Sequence, residues 1–357
     1  MLRQEITCLV LKVESVVITE RPSRFRKGLP PGNFSLHIIY FFLYTLTMTD
    51  SAKGKIWIIL NPAAGRGKAE KQFPKIDRYM RNQERNYEII LTKKPGDALD
   101  IVRNLPLGEN DVTIAAGGDG TCNEVVNGLM TRKGAAKPPI FGVLPVGRGN
   151  DFSSTPGIPE NLEKALDIII AGKLQKLDVG LVKGGFFPEG RFFVNGIGIG
   201  FDTKVGFDAA KMKIRSGFAY ALGAIINIIR YDPSPVMQIR YDDNEVTLPA
   251  VIVSIVNGRR MGGSFYMGPN AILDDGLLDI CFVKRPPTRL KLMKIFVHYP
   301  KGTQSECEGV HMHRALKFHL KALEGGMAAH CDGETVCYDG KELEISCIPG
   351  ALNLIGA

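Results

Sequence analysis

The chain has 357 residues, 45% apolar and 23% charged, with a formal net charge of +8. That length allows two domains, and the apolar share is enough for a buried core. A mean hydropathy of +0.01 gives no sign of an integral membrane bundle, and a pI near 9.0 favours anionic partners: phosphates, nucleic acid or acidic lipid.

Residues 1–33 mix an alternating apolar stretch, Ile6 to Ile18, with a basic segment from Arg21 to Lys27. An apolar run from Phe34 to Met48 follows. A basic flank before an apolar run resembles a signal peptide or anchor. The run is shorter than the ~20 residues a spanning helix needs, and no small-residue cleavage site follows it. The favoured expectation is a true start at Met48, ahead of a disordered or membrane-touching leader.

From Lys55 the pattern becomes regular. Ile56 to Leu60 is a short apolar run ended by Asn61-Pro62, the mark of a buried parallel strand. A glycine-rich turn, Asn61 to Lys68, leads into a helix expected to reach Met80. A second strand is expected over Tyr87 to Thr92, a helix over Asp97 to Asn104 and a third strand over Asp111 to Ala116. That strand runs into Gly117-Gly118-Asp119-Gly120-Thr121. Cys122 to Met130 reads as helix, and Ile140 to Leu144 as a fourth strand ending at Pro145. Alternating strands and helices imply a parallel sheet with covered faces, and ligands of such sheets bind beyond the carboxyl ends of the strands.

The unusual residues sit at those ends. Glycines between a strand and a helix let backbone N–H groups approach phosphate oxygens, and the helix N-terminus adds a favourable dipole. Neither glycine turn is followed by G-K-[ST], so neither is a Walker A loop. Gly196-Ile197-Gly198-Ile199-Gly200 lacks dinucleotide-fingerprint spacing and reads as a strand or loop of small residues. Asp119, flanked by three glycines at a strand end, makes chemical sense where a magnesium ion or a proton transfer needs a carboxylate.

Strand-like runs follow after Asp178: Phe192 to Val194, Met237 to Tyr241, Leu248 to Asn257, Leu277 to Val283, Ala315 to Leu320 and Glu342 to Cys347. Phe218 to Ile229 is apolar behind Lys204, Lys211, Lys213 and Arg215. It reads as a buried helix in preference to a membrane-facing one. Arg259-Arg260 beside Gly262-Gly263 is a better candidate for phosphate or headgroup contact. The seven cysteines include no C-x-x-C pair and their number is odd, which fits free thiols in a reducing compartment. Cys307, His311 and His313 match no standard zinc spacing.

Several blocks together resemble the lipid kinases that act on diacylglycerol, sphingosine and related alcohols. They are Asn61-Pro62-Ala63-Ala64-Gly65, Gly117 to Glu124, Leu144 to Phe152, Asn257 to Asp279 and Asp332-Gly333-Glu334. G-G-D-G-T alone is shared with NAD kinases and phosphofructokinases. L-P-x-G-x-x-N-D-F and P-N-A-x-x-x-D-G-L-L-D are more specific. The resemblance covers the chain from about Lys55 onward. It implies an α/β N-terminal domain with a parallel sheet, like those of NAD kinases and phosphofructokinases, and a mostly β-sandwich C-terminal domain. The expected division is a leader over 1–52, a nucleotide-binding domain over 53–180, a sandwich carrying the lipid side of the cleft over 181–345, and a tail over 346–357 that returns to the first domain.

Carried over block by block, the resemblance places the nucleotide against Asn61, Pro62, Ala63, Ala64, Gly65, Thr92, Gly117, Gly118, Asp119, Gly120, Thr121, Cys122 and Asn123. Arg148 stands where many members carry Thr or Ser, and a guanidinium there can pair with a phosphate instead. Ile272, Asp275 and Leu277 match positions that hold a structural magnesium, the first and last through backbone carbonyls. Glu334 matches the proposed proton acceptor, with Asp119 as the second catalytic carboxylate. The implied reaction is Mg²⁺-dependent transfer of phosphate from ATP to a lipid hydroxyl, by a cytoplasmic enzyme peripheral to the membrane that can form homodimers. Diacylglycerol, a sphingoid base and phosphatidylglycerol are all open as acceptors. An NAD kinase and a catalytically silent nucleotide- or lipid-binding regulator stand as alternatives. Nucleic-acid binding is not expected, since no basic stripe interleaved with aromatics is present.

Overall fold

The computed structural model describes residues 54–132, 137–201, 203–206, 216–230, 234–263, 265–286 and 288–357. The chain divides into two units, Met1–Ala52 and Lys53–Ala357, and every described residue belongs to the second. The expectations for the leader and for Lys211, Lys213 and Arg215 lie outside the described residues.

The first layer is a parallel sheet in the order β2-β1-β3-β4. β1 (Ile56–Leu60) is buried at every position, as a central strand between two parallel neighbours must be. It pairs with β2 (Tyr87–Leu91) on one side and β3 (Val112–Gly117) on the other, Ile58 lying opposite both Ile89 and Ile114. β4 (Ile140–Pro145) continues the parallel set beside β3. The intervening helices are α1 (Ala64–Asn82), α2 (Asp97–Asn104) and α3 (Asp119–Met130), with α4 (Leu162–Ala171) after β4. Asn161 caps α4 by accepting the Lys164 N–H, and Gly172 ends it in a left-handed conformation.

Two long strands carry this sheet into the next. β5 (Leu174–Gly184) and β15 (Glu342–Ile355) pair antiparallel along most of their length, running through residues 180/181 and 345/346 without a break. At the far end of β15, Asn353 and Leu354 pair parallel with Ile140 and Phe141 of β4. The remainder is mostly antiparallel: β6 (Phe187–Phe193), β7 (Gly196–Gly200), β8 (Val236–Tyr241), β9 (Asn244–Val256), β10 (Leu278–Lys284), β11 (Val310–Ala315), β12 (Lys317–Glu324), β13 (Met327–Cys331) and β14 (Glu334–Gly340). Its core lies between inward residues of the two faces, Ile197, Ile199, Val253 and Ile255 against Met237, Ile239, Phe318 and Leu320. This is the α/β domain followed by a mostly antiparallel β domain that the sequence predicts.

Two helices, α5 (Ser216–Arg230) and α6 (Arg289–Phe296), pack together over a third apolar cluster that includes Ala224, Ile228, Leu292 and Ile295. A fully buried Ile or Phe stabilises by roughly 1.5–3 kcal/mol. A part-exposed pair such as Lys55–Glu88 contributes at most about 1 kcal/mol. The apolar clusters, not the ion pairs, therefore hold the fold. Among the described residues the cysteines are free, and no helix is long and apolar enough to cross a membrane.

Candidate active site

The carboxyl ends of β1, β3 and β4 bring three turns together. Asn61, just beyond β1, donates its backbone N–H to Ala116 and its side-chain amide to Thr121 Oγ1 at 3.1 Å. Its own side-chain oxygen accepts the Ala63 N–H, closing an Asx turn over Pro62. Gly65, Arg66 and Gly67 then take left-handed φ of 61°, 60° and 81°, so α1 becomes regular only after them. Thr92 is buried beside this turn, its N–H on the Leu60 carbonyl.

β3 ends at Gly117, Gly118 is the extended residue that follows, and α3 starts at Asp119, which points that helix's N-terminus at the same place. The turn after β4 lies directly on them. Val146 and Gly147 donate their N–H groups to the Gly117 carbonyl at 3.1 and 3.0 Å. Gly147 and Gly118 touch backbone to backbone, so closely that a methyl group on Gly147 would lie 2.4 Å from the Gly118 Cα. A methyl on Gly120, by contrast, would meet nothing within 4 Å. Arg148 stands exposed on the third turn.

The sequence-named residues differ in what their side chains can do here. Thr121 already accepts from Asn61, and Cys122 is buried. Asn123 is fully buried, donating to the Phe192 carbonyl and to Asp332 Oδ2 and accepting from Arg191 Nε. It ties α3 to the β domain.

Asp119 does not stand alone. A methyl on Gly149 would lie 2.8 Å from Asp119 Oδ2 and 3.8 Å from Asp151 Oδ2, so the two carboxylates face the same glycine. Asp119 Oδ1 accepts the Phe152 N–H, and Asp151 Oδ1 accepts the Gly263 N–H at 2.8 Å. Burial raises the pKa of Asp119, against the pull of backbone N–H groups from Phe152 and its neighbours. Burial, then the Asp119 charge, pushes Asp151 up to about 7, although Arg260 opposes this. Arg260 is held there by its Nε–H to Ser154 Oγ. Sequence reasoning assigned Asp151 no role; its signal was its place in the Asn150-Asp151-Phe152 block.

The β13–β14 hairpin supplies the third wall. Cys331 pairs with Glu334 across a two-residue turn, Asp332-Gly333, both left-handed at φ 45° and 88°. That is the conformation a tight hairpin with right-handed strand twist requires. Asp332 is itself buried. Its Oδ1 accepts the N–H groups of Asn195 and Gly196, and its Oδ2 those of Val194 and the Asn123 amide. Burial pushes Asp332 up to about 6, opposed by these donors and reinforced by Asp119. The turn is therefore pinned to both domains, and Glu334, half-buried, follows it directly.

Ile272, Asp275 and Leu277 lie apart from these turns, in the loop that packs on Asp178. Asp178 accepts N–H groups from Gly276 and Gly350 at 2.6 and 2.7 Å. Asp275 accepts the Leu277 N–H and pairs with Arg314 at 3.1 Å. Among the described residues no three His, Cys, Asp or Glu side chains converge as a metal site. The loop's donors are nonetheless hard oxygens. Burial, then the charges of Asp275 and Asp274, raise the pKa of Asp178. Arg314 pairs with both Asp275 and Asp279, and carboxylate and carbonyl oxygens are the donors a divalent cation takes.

These shifts set a pH dependence. In the unfolded chain Asp151 titrates near 3.9, whereas in the metal- and nucleotide-free fold it keeps its proton to about 7. The folded state binds more protons across that window, so stability falls as pH rises from about 4 to about 7 and levels off above it. Asp151→Asn is expected to melt above the wild type at about pH 8, by an amount on the order of 1–4 kcal/mol that shrinks towards pH 4. A difference independent of pH would refute the assignment.

Comparison with known proteins agrees with this architecture. The family model for the diacylglycerol kinase catalytic domain matches residues 55–182, and that for the YegS C-terminal NAD kinase beta sandwich-like domain matches 195–356. A relative from Enterobacter sp. (strain 638), named "Probable lipid kinase YegS-like", is 30% identical over 265 residues, 74% of this chain and 84% of its own. A diacylglycerol kinase from Staphylococcus aureus (strain MRSA252) is 34% identical over 291 residues, 80% of this chain and 86% of its own. The crystal structure of a diacylglycerol kinase from Bacillus anthracis str. Sterne shares the fold, with a TM-score of 0.63 at 24% identity over 85% of this chain and 97% of its own. With its catalytic-domain model, its sandwich model and full-length relatives all in agreement, the chain belongs to the bacterial diacylglycerol kinase family of lipid kinases.

Proposed function

We propose that the protein is an ATP-dependent lipid kinase that transfers the γ-phosphoryl group to the hydroxyl of diacylglycerol or a related lipid alcohol. The observation that carries this reading is the convergence of three backbone-rich turns on a buried carboxylate pair, Asp119 and Asp151, beside the Asp332-Gly333-Glu334 hairpin. Phosphoryl transfer is mostly positioning and neutralisation of charge. The turns at 61–65, 117–121 and 145–149 offer N–H groups and a helix N-terminus to the ATP phosphates, with Thr92 beside them. Arg148 on the third turn and Arg260 beside Asp151 are cations available to the phosphate oxygens.

Glu334 accepts the proton of the lipid hydroxyl. The hydroxyl oxygen bonds to the γ-phosphorus as the bridging bond to the β-phosphate breaks, ADP leaves, and Glu334 returns its proton to solvent. Asp119 and Asp151 would hold the Mg²⁺ that accompanies ATP, and Ile272, Asp275 and Leu277 a structural one. Mg²⁺ held there would supply neutralisation of the phosphate charge. The substrate is drawn from a membrane surface, to which the enzyme binds peripherally from the cytoplasmic side.

The test is incubation with γ-labelled ATP, Mg²⁺ and, in separate reactions, diacylglycerol micelles and NAD. Label in the organic phase with diacylglycerol is expected. Label on NAD alone would overturn the lipid reading.

A further inference from the structure

α6 is amphipathic in an unusual sense: its outward face is apolar too. Leu292 and Ile295 turn into the cluster shared with α5, while Leu290 is 73%, Met293 40% and Val297 56% exposed. Spaced by three and four residues, these last three fall on one face. α5, which packs against α6, also exposes apolar side chains, Ile225 at 44% and Ile229 at 58%. Clustered apolar exposure of this kind marks an interaction surface.

The charges around α6 say what covers it. Arg289, Lys291 and Lys294 are exposed on the helix, which has no acidic residue. Beside it lies a groove of about 450 Å³ lined by Lys284, Arg285, Lys291, Lys294 and His298, with Glu308 its one acid, 3.5 Å from Lys291. A second copy of the chain docked face to face would set these cations against their own images, which is repulsive. An anionic bilayer answers both features at once, taking the apolar face into the acyl boundary and the cations onto its phosphates. We propose that α6, continued by α5, docks the protein on an anionic phospholipid surface.

The position suits the chemistry. Met261, Phe265 and Met267 pack in the same cluster as Leu292 and Ile295, while Gly263, between them, donates to Asp151. The loop beneath α6 therefore reaches the carboxylate pair, with the helix between that loop and a bilayer seated on the outer face. The inference rests on the lipid kinase reading for its purpose and on the surface alone for its test.

Hydrogen–deuterium exchange of the full chain, with and without vesicles, reads the surface locally at residues 288–301. Phosphatidylglycerol vesicles are expected to slow exchange there, and phosphatidylcholine vesicles are not. Leu290→Glu with Met293→Glu should lose that protection and weaken vesicle partitioning roughly tenfold or more. Its phosphorylation of a water-soluble short-chain diacylglycerol should be unchanged. Lys291→Gln with Lys294→Gln serves the same end if the first pair unfolds. Exchange at 288–301 unchanged by phosphatidylglycerol, or equally slowed by both lipids, overturns the proposal. Slowing without vesicles that grows with protein concentration assigns the face to a second copy and overturns it too. Protection without phosphoryl transfer to any lipid sinks the kinase reading and leaves the docking surface standing.

Discussion

Glu334→Gln is expected to lower turnover by roughly 10²–10⁴-fold, the usual contribution of a general base. The substitution keeps the shape and removes the proton acceptor. It should leave folding intact, because the Glu334 carboxylate makes no hydrogen bond or ion pair among the described residues. The turn that aims it is held instead by Asp332 through Val194, Asn195 and Gly196. Initial rates, together with the melting shift produced by ATP, separate the two effects. ATP should stabilise the variant as it does the wild type while the rate collapses. A rate within a few-fold of wild type would remove Glu334 from the chemistry.

Gly147→Ala is expected to damage both stability and activity, for a steric reason. The added methyl would sit 2.4 Å from the Gly118 Cα and 2.8 Å from the Gly118 N, both backbone atoms that no rotamer can move aside. The third turn must then lift off the second, weakening the hydrogen bonds from Val146 and Gly147 to the Gly117 carbonyl. Overpacking of this kind typically costs about 1–3 kcal/mol. A displacement of about 1 Å in a positioning element can cost on the order of 10²-fold in rate. A lowered melting temperature with a rate loss near that size is the expected pair of results. A variant that melts and turns over like the wild type would show that the two turns do not need this contact.

The parallel layer was legible because its strands are short, apolar and ended by turn residues: β1, β3 and β4 each stop at a glycine or proline block. α3 begins at Asp119, three residues before the sequence places it, because Gly118 supplies the extended residue that precedes a helix and masks the start. The β domain was harder to read. The run from Ala315 to Leu320 is two strands, broken at Leu316, where the Asp242 carboxylate accepts the N–H groups of Leu316 and Lys317. β13 and β14 escaped because Met-Ala-Ala-His-Cys does not alternate clearly. Asp332-Gly333 between them was a strong hairpin signal. Gly196 to Gly200 is a fully buried strand whose glycines fit it among close neighbours.

For the site, the motifs named the turns but not their partners. Asp151, 32 positions further along the chain, meets Asp119 through the stacking of two turns. The resemblance places Asn123 against the nucleotide, and in the fold its side chain also joins the two domains. Phe218 to Ile229 reads as a buried helix, and one face of it is buried at Ala224 and Ile228 while Ile225 and Ile229 face outward. Relations of this kind depend on which elements the fold stacks, and no local pattern carries them.

The most direct test gives the full chain γ-labelled ATP, Mg²⁺ and a total lipid extract from its host in mixed micelles, beside the Asp119→Asn variant. Label should enter a chloroform-soluble product with the wild type and be nearly absent with the variant, which also delivers the acceptor for identification. Label confined to the aqueous phase, or equal transfer by the two proteins, would contradict a lipid kinase built on this carboxylate.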